Sequence, residues 1–226
     1  MQNIIKLKYK GVDFMKLYLS SYKLGNNIEE LKRWIEENGN KIVLIPNSRD
    51  VFEDSERLRN GINKDIEMLK DIGFDVEVIS LKKYFGNPKL LEEDFSKYNA
   101  FFAIGGNTFA LRKAMQLSGF DKYLKKQIDN PNFLYAGYSA GICVLSPSLV
   151  GLNLVDEPLN PHNQEDVIYE GIGLLDYVPV PHYKSDHPES HLVDEVVKYM
   201  IDNNIKYQPL RDGEVIIEEY LKNKTR

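Results

Sequence analysis

What most restricts the fold of this 226-residue chain is a periodicity that switches repeatedly between the two-residue repeat of a β-strand and the 3.6-residue repeat of an amphipathic helix. Residues 14–21 (FMKLYLSS) read as a strand. Ile28, Leu31 and Ile35 then share one helical face, with Asn27 and Glu30 spaced as a capping box and Gly39 as the stop. Residues 41–48 (KIVLIPNS) return to strand, Leu58, Ile62, Ile66 and Leu69 mark a second helix ending at Gly73, and FDVEVIS beyond it is a third strand. A Gly-Asn-Pro loop at 86–88 precedes a short helical piece, residues 100–106 (AFFAIGG) run into the helical NTFALRKAMQ, and residues 132–138 (NFLYAGY) run into a serine. Neighbouring parallel strands need crossover connections, and helices supply them. We therefore expect an α/β fold of three layers, a mostly parallel sheet with helices on both faces.

After Pro147 the texture changes to turns and short apolar pieces, for which loops and a hairpin are expected. Residues 178–183 (VPVPHY) form another apolar strand, and Leu192, Val196 and Met200 mark a last helix. The segment IKYQPLRDGEVIIEEY has the pattern of a hairpin turning at Asp212-Gly213. No repeat or linker divides the chain, so residues 15–226 are expected to form one domain, with 1–14 as a loosely attached extension.

Composition removes several classes of function. A formal net charge of −5 offers no basic patch for a phosphate backbone, so nucleic acid is not an expected partner. No apolar run approaches the roughly 20 residues that span a bilayer, and the first residues show no signal-peptide pattern, so a cytoplasmic location without membrane contact is expected. The single cysteine, Cys143, cannot form an internal disulfide or a multi-cysteine metal site and is expected to pack inside.

The chemistry points to GYSAG at 137–141. An apolar strand that ends at Tyr138 and a small-residue helix that begins at Ala140 would raise the Ser139 hydroxyl above the sheet, with glycines leaving room for the tight turn. A serine needs a base, and of the four histidines His182 directly follows a strand, which puts it at the same sheet edge. An orienting carboxylate would complete the set. Asp156 is the first candidate, Glu157 beside it the close competitor, and Glu170 and Asp176 are weaker ones. The glycine turn IGGN supplies Gly105 or Gly106 to pair with the Ala140 N–H as oxyanion donors, and Asn107 as a helix cap. HPESH at 187–191 is one place off the H-E-x-x-H pattern, and its Pro188 and Glu189 read as a helix first turn, so no metal is expected. Read from residues alone, an α/β-hydrolase esterase and a non-catalytic protein that keeps the elbow as scaffold both stay open.

Taken in order, IGGNTFALR, GYSAG, VDEP and PHY resemble the peptidase E family of serine peptidases, the aspartyl dipeptidases related to cyanophycinase. The resemblance implies a flavodoxin-like, class I glutamine amidotransferase-like sheet. It also implies Ser139 as nucleophile, His182 as base, Asp156 as orienting acid, and Gly105, Gly106 and Ala140 as the oxyanion positions. A short peptide substrate and no cofactor follow from it; a monomer or homodimer is expected, without the sequence deciding between them. The family's arginine-containing segment after the histidine has no counterpart in SDHPESHLVDEVV, so the preference at the substrate's N-terminal residue, aspartate or other, stays open. Substrate-binding positions are then Asn107, Lys184 and His187, with Arg49 as a further source of positive charge.

Overall fold

The computed structural model of the chain describes residues 5–7, 14–162 and 166–219. In chain order it begins with β1 (Ile5–Leu7), β2 (Lys16–Ser20), α1 (Ile28–Asn38), β3 (Lys41–Ile45), α2 (Glu56–Asp71), β4 (Asp75–Val78), α3 (Pro88–Phe95) and β5 (Ala100–Ala103). There follow α4 (Thr108–Ser118), α5 (Phe120–Lys126), β6 (Leu134–Tyr138), α6 (Ala140–Cys143), β7 (Val178–Val180), α7 (Ser190–Asp202), β8 (Tyr207–Pro209) and β9 (Val215–Glu219). Seven strands form one sheet in the order β1-β9-β2-β6-β5-β3-β4. The run from β2 to β4 is parallel, and β9 enters antiparallel to β2. The expected mostly parallel three-layer α/β architecture is what the chain adopts.

The period of two explains why both faces are covered. Leu17, Leu19, Val43, Ile45, Phe101, Ala103 and Tyr135 point into one core with α3, α4, α5 and α7. Their alternates Tyr18, Ile42, Leu44, Phe102, Leu134 and Ala136 point into the other, where α1 contributes Leu31 and Trp34 and α2 contributes Leu69. Strands buried on both faces read as continuous apolar runs, as these do. Phe101 lies at the centre of an aromatic cluster, stacked on Phe133 at 5.3 Å and packed with Phe95 and Phe120. Phe101→Ala is expected to lower unfolding stability by about 3–5 kcal/mol, read from the urea midpoint at unchanged slope.

Three sequence expectations are corrected. The segment at 205–219 is not a hairpin, because β8 pairs in parallel with β7 in a separate two-stranded sheet while β9 inserts between β1 and β2. The reason is that Val215 and Ile217 face one core and Ile216 the other, so β9 needs cover on both sides. Asn27 does not cap α1 through its side chain, and its Nδ2 is buried with no hydrogen-bond partner among the described residues. The hairpin expected after Pro147 reduces to one antiparallel bridge, Ser148 to Glu170; residues 163–165 of that segment lie outside the described residues. Most of the extension expected at 1–14 also lies outside them, although Ile5–Leu7 is a strand paired with β9.

Candidate active site

The turn between β6 and α6 is held against the end of β5. A Cβ on Gly137 would lie 2.8 Å from the Ala103 carbonyl oxygen, and one on Gly141 would lie 2.2 Å from the same atom. Both glycines are therefore required by the neighbouring backbone. Ser139 between them takes φ 51° and ψ −118°, a conformation that costs a non-glycine residue about 1–3 kcal/mol and persists only where the surroundings enforce it. They do so here: the Ser139 carbonyl accepts from the N–H groups of Ile142 and Cys143, and the Tyr135 hydroxyl donates to the Gly141 carbonyl at 2.6 Å.

The β5–α4 turn comes up beside the serine. A Cβ on Gly105 would sit 3.2 Å from Ser139 Cβ and 2.5 Å from the Tyr138 ring. The Gly105 carbonyl accepts from Ser48 Oγ at 3.1 Å and Arg49 Nε at 3.2 Å. In a planar trans peptide the Gly106 N–H points opposite to that carbonyl, away from Ser48 and Arg49. Asn107 accepts from the Ala110 N–H, capping α4 as its position in the sequence suggests.

His182 follows β7 and Pro181 with φ 63° and is 2% exposed. Its N–H donates to Ser21 Oγ at 2.8 Å, and that hydroxyl lies 2.9 Å from Asp212 Oδ1, to which it donates. The ring Nδ1 is 2.8 Å from the same carboxylate oxygen. A carboxylate only accepts, so Nδ1 carries the proton and the Nε2 lone pair is left for another donor. Asp212 is itself fixed by its N–H to Ser185 Oγ at 2.7 Å.

This corrects the choice of carboxylate. Asp156 does not bond His182; its Oδ2 accepts from the Thr108 N–H at 2.9 Å, at the start of α4. Asn107 Nδ2 holds the next residue by donating to the Glu157 carbonyl at 2.7 Å, so this loop is fastened to the helix terminus rather than to the histidine. Glu170 is engaged with Arg112 through its carbonyl, and Asp176 pairs with Lys206, both elsewhere. Sequence reasoning missed Asp212, whose signal was its Asp-Gly turn at the exit of the small sheet.

A cleft of about 400 Å³ has Ser139, His182, Gly105, Gly106, Asn107, Asp156, Glu157, His187 and Glu189 on its walls. Lys184 is not among them; its ammonium lies over the Tyr183 ring. Arg49 and Lys23 do reach the cleft, but both grip the fully buried Asp65 at 2.6 Å, which cancels one of their two charges.

The model of peptidase family S51 matches residues 19–220. The chain belongs to that family. An uncharacterized peptidase of Listeria monocytogenes serovar 1/2a is 26% identical over 70% of this chain and 73% of its own length. Another, of Listeria innocua serovar 6a, is 27% identical over 54% of this chain and 56% of its own, so the match there spans little more than half of that relative. Among solved structures, a Listeria monocytogenes EGD-e protein provisionally assigned as peptidase E superposes with a TM-score of 0.65 at 22% identity, over 92% of this chain and all of that one. A peptidase from an acI-B1 Actinobacterium gives 0.66 at 17%, over 94% and 86%. These likenesses carry the fold, that of peptidase E and the class I glutamine amidotransferase-like group. No helix among the described residues is long and apolar enough to cross a membrane.

Electrostatics in this S51 site are set by burial. Burial depresses the His182 pKa, the neighbouring His187 depresses it further, and the bond to Asp212 works against both, so the ring is neutral at neutral pH. The His182 and His187 rings stack at 3.7 Å with a 10° interplanar angle, and Tyr22 meets both edge-on. His182, His187 and Glu189 each place one ligand atom within 4.8 Å of the others. Imidazole lone pairs lie in the ring plane, and two nearly parallel stacked planes give them no common point, so this trio fits a metal poorly without rotation of His187.

Asp156 is pushed up to about 6, chiefly by burial and in part by the charge of Glu189, against the opposing bonds from Thr108. A raised carboxyl pKa means that stability is lost as pH climbs from about 4 through about 6, a cost of up to about 3 kcal/mol at neutral pH. Asp156→Asn keeps an oxygen for the Thr108 N–H and removes the charge. It is expected to stabilise the protein by about 1–3 kcal/mol at neutral pH, and the gap in urea midpoint from the parent should close below pH ~4.

Proposed function

We propose that this S51 peptidase is a serine peptidase that hydrolyses short peptides through an acyl-enzyme. Ser139 Oγ attacks the scissile carbonyl while His182 Nε2 takes its proton; the imidazolium that forms is held by Asp212 at Nδ1. The oxyanion lies toward the N–H of Ala140, which as the first residue of α6 has no acceptor within its own helix, and toward the Gly106 N–H. His182 then returns the proton to the leaving amine. Water attacks the ester by the same route in reverse, releasing the acid and restoring Ser139. A cleft of about 400 Å³ suits a substrate of two or three residues. The observation that carries this reading is the 2.8 Å contact between His182 and Asp212, on a histidine sharing its cleft with a serine held at positive φ.

The test is the pH dependence of Ser139 modification by a fluorophosphonate, which needs the nucleophile and base but no peptide contacts. The rate should rise with pH and level off, with a midpoint below the ordinary histidine value of 6.5. His187→Phe keeps a ring against His182 and removes the neighbouring charge that lowers its pKa, so the midpoint should move upward. A midpoint unmoved by this change, or a rate independent of pH from 5 to 8, contradicts His182 as the base.

A further inference from the structure

A second, blind pocket of about 30 Å³ opens beside Ser139 and shares Ser139, His182, Asp156 and Glu189 with the main cleft. Its walls are mainly apolar, with Leu152, Val155, Val180, Val193 and Val196, and include Thr108, Pro181 and Cys143, the last a buried thiol lying 3.6 Å from the Pro179 carbonyl oxygen. Among the described residues no lysine or arginine lines it. Space of this size holds about two water molecules, and hence a side chain of one to three carbons but not a long or aromatic one. The acidic side chains that the pocket shares with the cleft, at its mouth, are those of Asp156 and Glu189, beside a neutral His182.

We infer that this blind pocket receives the side chain of the residue whose carbonyl Ser139 attacks, that the residue is small and apolar, and that its free α-ammonium faces Asp156 and Glu189. The inference rests on the peptidase reading above and adds its substrate class. An aspartate or glutamate there would bury a carboxylate among valines with no cation to meet it and two like charges at the mouth, which opposes binding twice over. A lysine would have a charge of the right sign but a stem too long for the space. Blocking the amine by acetylation removes the charge that the two carboxylates would hold.

The experiment measures kcat/KM of the full chain on dipeptides X-Leu, with X as Gly, Ala, Val, Leu, Lys and Asp, and on N-acetyl-Ala-Leu, following the released amine. Ala and Val should exceed Leu and Lys by about tenfold and Asp by about 100-fold or more, with acetylation as damaging as Asp. Val193→Phe should lower the Val-to-Gly ratio about tenfold, and Val193→Ala should raise the Leu-to-Val ratio; fluorophosphonate labelling of Ser139 in each variant shows that the site is folded. Asp-Leu or Lys-Leu equal to Ala-Leu, or ratios unmoved in labelled variants, overturns the pocket assignment and leaves the peptidase reading standing. Absence of both labelling and dipeptide hydrolysis overturns the peptidase reading and this inference with it.

Discussion

Ser139→Ala is expected to reduce kcat on short peptides by about 10⁶-fold, to the level of background hydrolysis, because the variant has no atom to form the acyl-enzyme. The fold should survive. Alanine lacks only the hydroxyl, and the turn is enforced by Gly137 and Gly141 against the Ala103 carbonyl rather than by the serine side chain. Far-ultraviolet circular dichroism and the urea midpoint check this. Stability should stay within about 0.5 kcal/mol of the parent, since the strain of the positive φ remains in both. Peptide turnover within tenfold of the parent places the nucleophile elsewhere.

Asp212→Asn is expected to lower kcat by about 10³–10⁴-fold. The carboxylate fixes the tautomer that leaves Nε2 unprotonated; an amide can present its nitrogen to Nδ1, turning the ring to the opposite tautomer and its lone pair away from Ser139. The contrast with Asp156→Asn is what makes the test informative. Asp156 bonds the Thr108 N–H and not His182, so its replacement should leave fluorophosphonate labelling close to the parent rate, while loss of the charge proposed to meet the substrate amine should raise KM for peptides with a free amine. Equal slowing of labelling in both variants contradicts the assignment of Asp212 as the carboxylate behind His182.

The sheet and the elbow were legible because their signals are local. Leu17 and Leu19 alternate with Tyr18, and Phe101 with Phe102, so sequence alone predicts strands buried on both faces. Gly137 and Gly141 bracket the serine because one carbonyl oxygen excludes both Cβ atoms, a contact that leaves its trace within five residues. His182 was traceable as a residue just past a strand. Asp212 was not, since a carboxylate behind a histidine needs only to arrive in space, and its Asp-Gly step is also a common turn signal. That same step suggested a hairpin, whereas β8 and β9 belong to different sheets. Asp156 lies at the lip of the same cleft as Ser139 and bonds the Thr108 N–H rather than the histidine. The missing cap at Asn27 is a case where the residue type was right and the local backbone, with φ −117° and ψ 43°, did not aim the side chain at the helix.

The central claim is that one hydroxyl, deprotonated by His182 and Asp212, forms a covalent bond to substrate. Incubating the 226-residue chain with a fluorophosphonate and locating the adduct by mass spectrometry after digestion tests it most directly. The account predicts a single adduct on Ser139, absent in Ser139→Ala and about 10³-fold slower in Asp212→Asn. An adduct on another residue, or peptide hydrolysis by a protein that takes up no label, contradicts it.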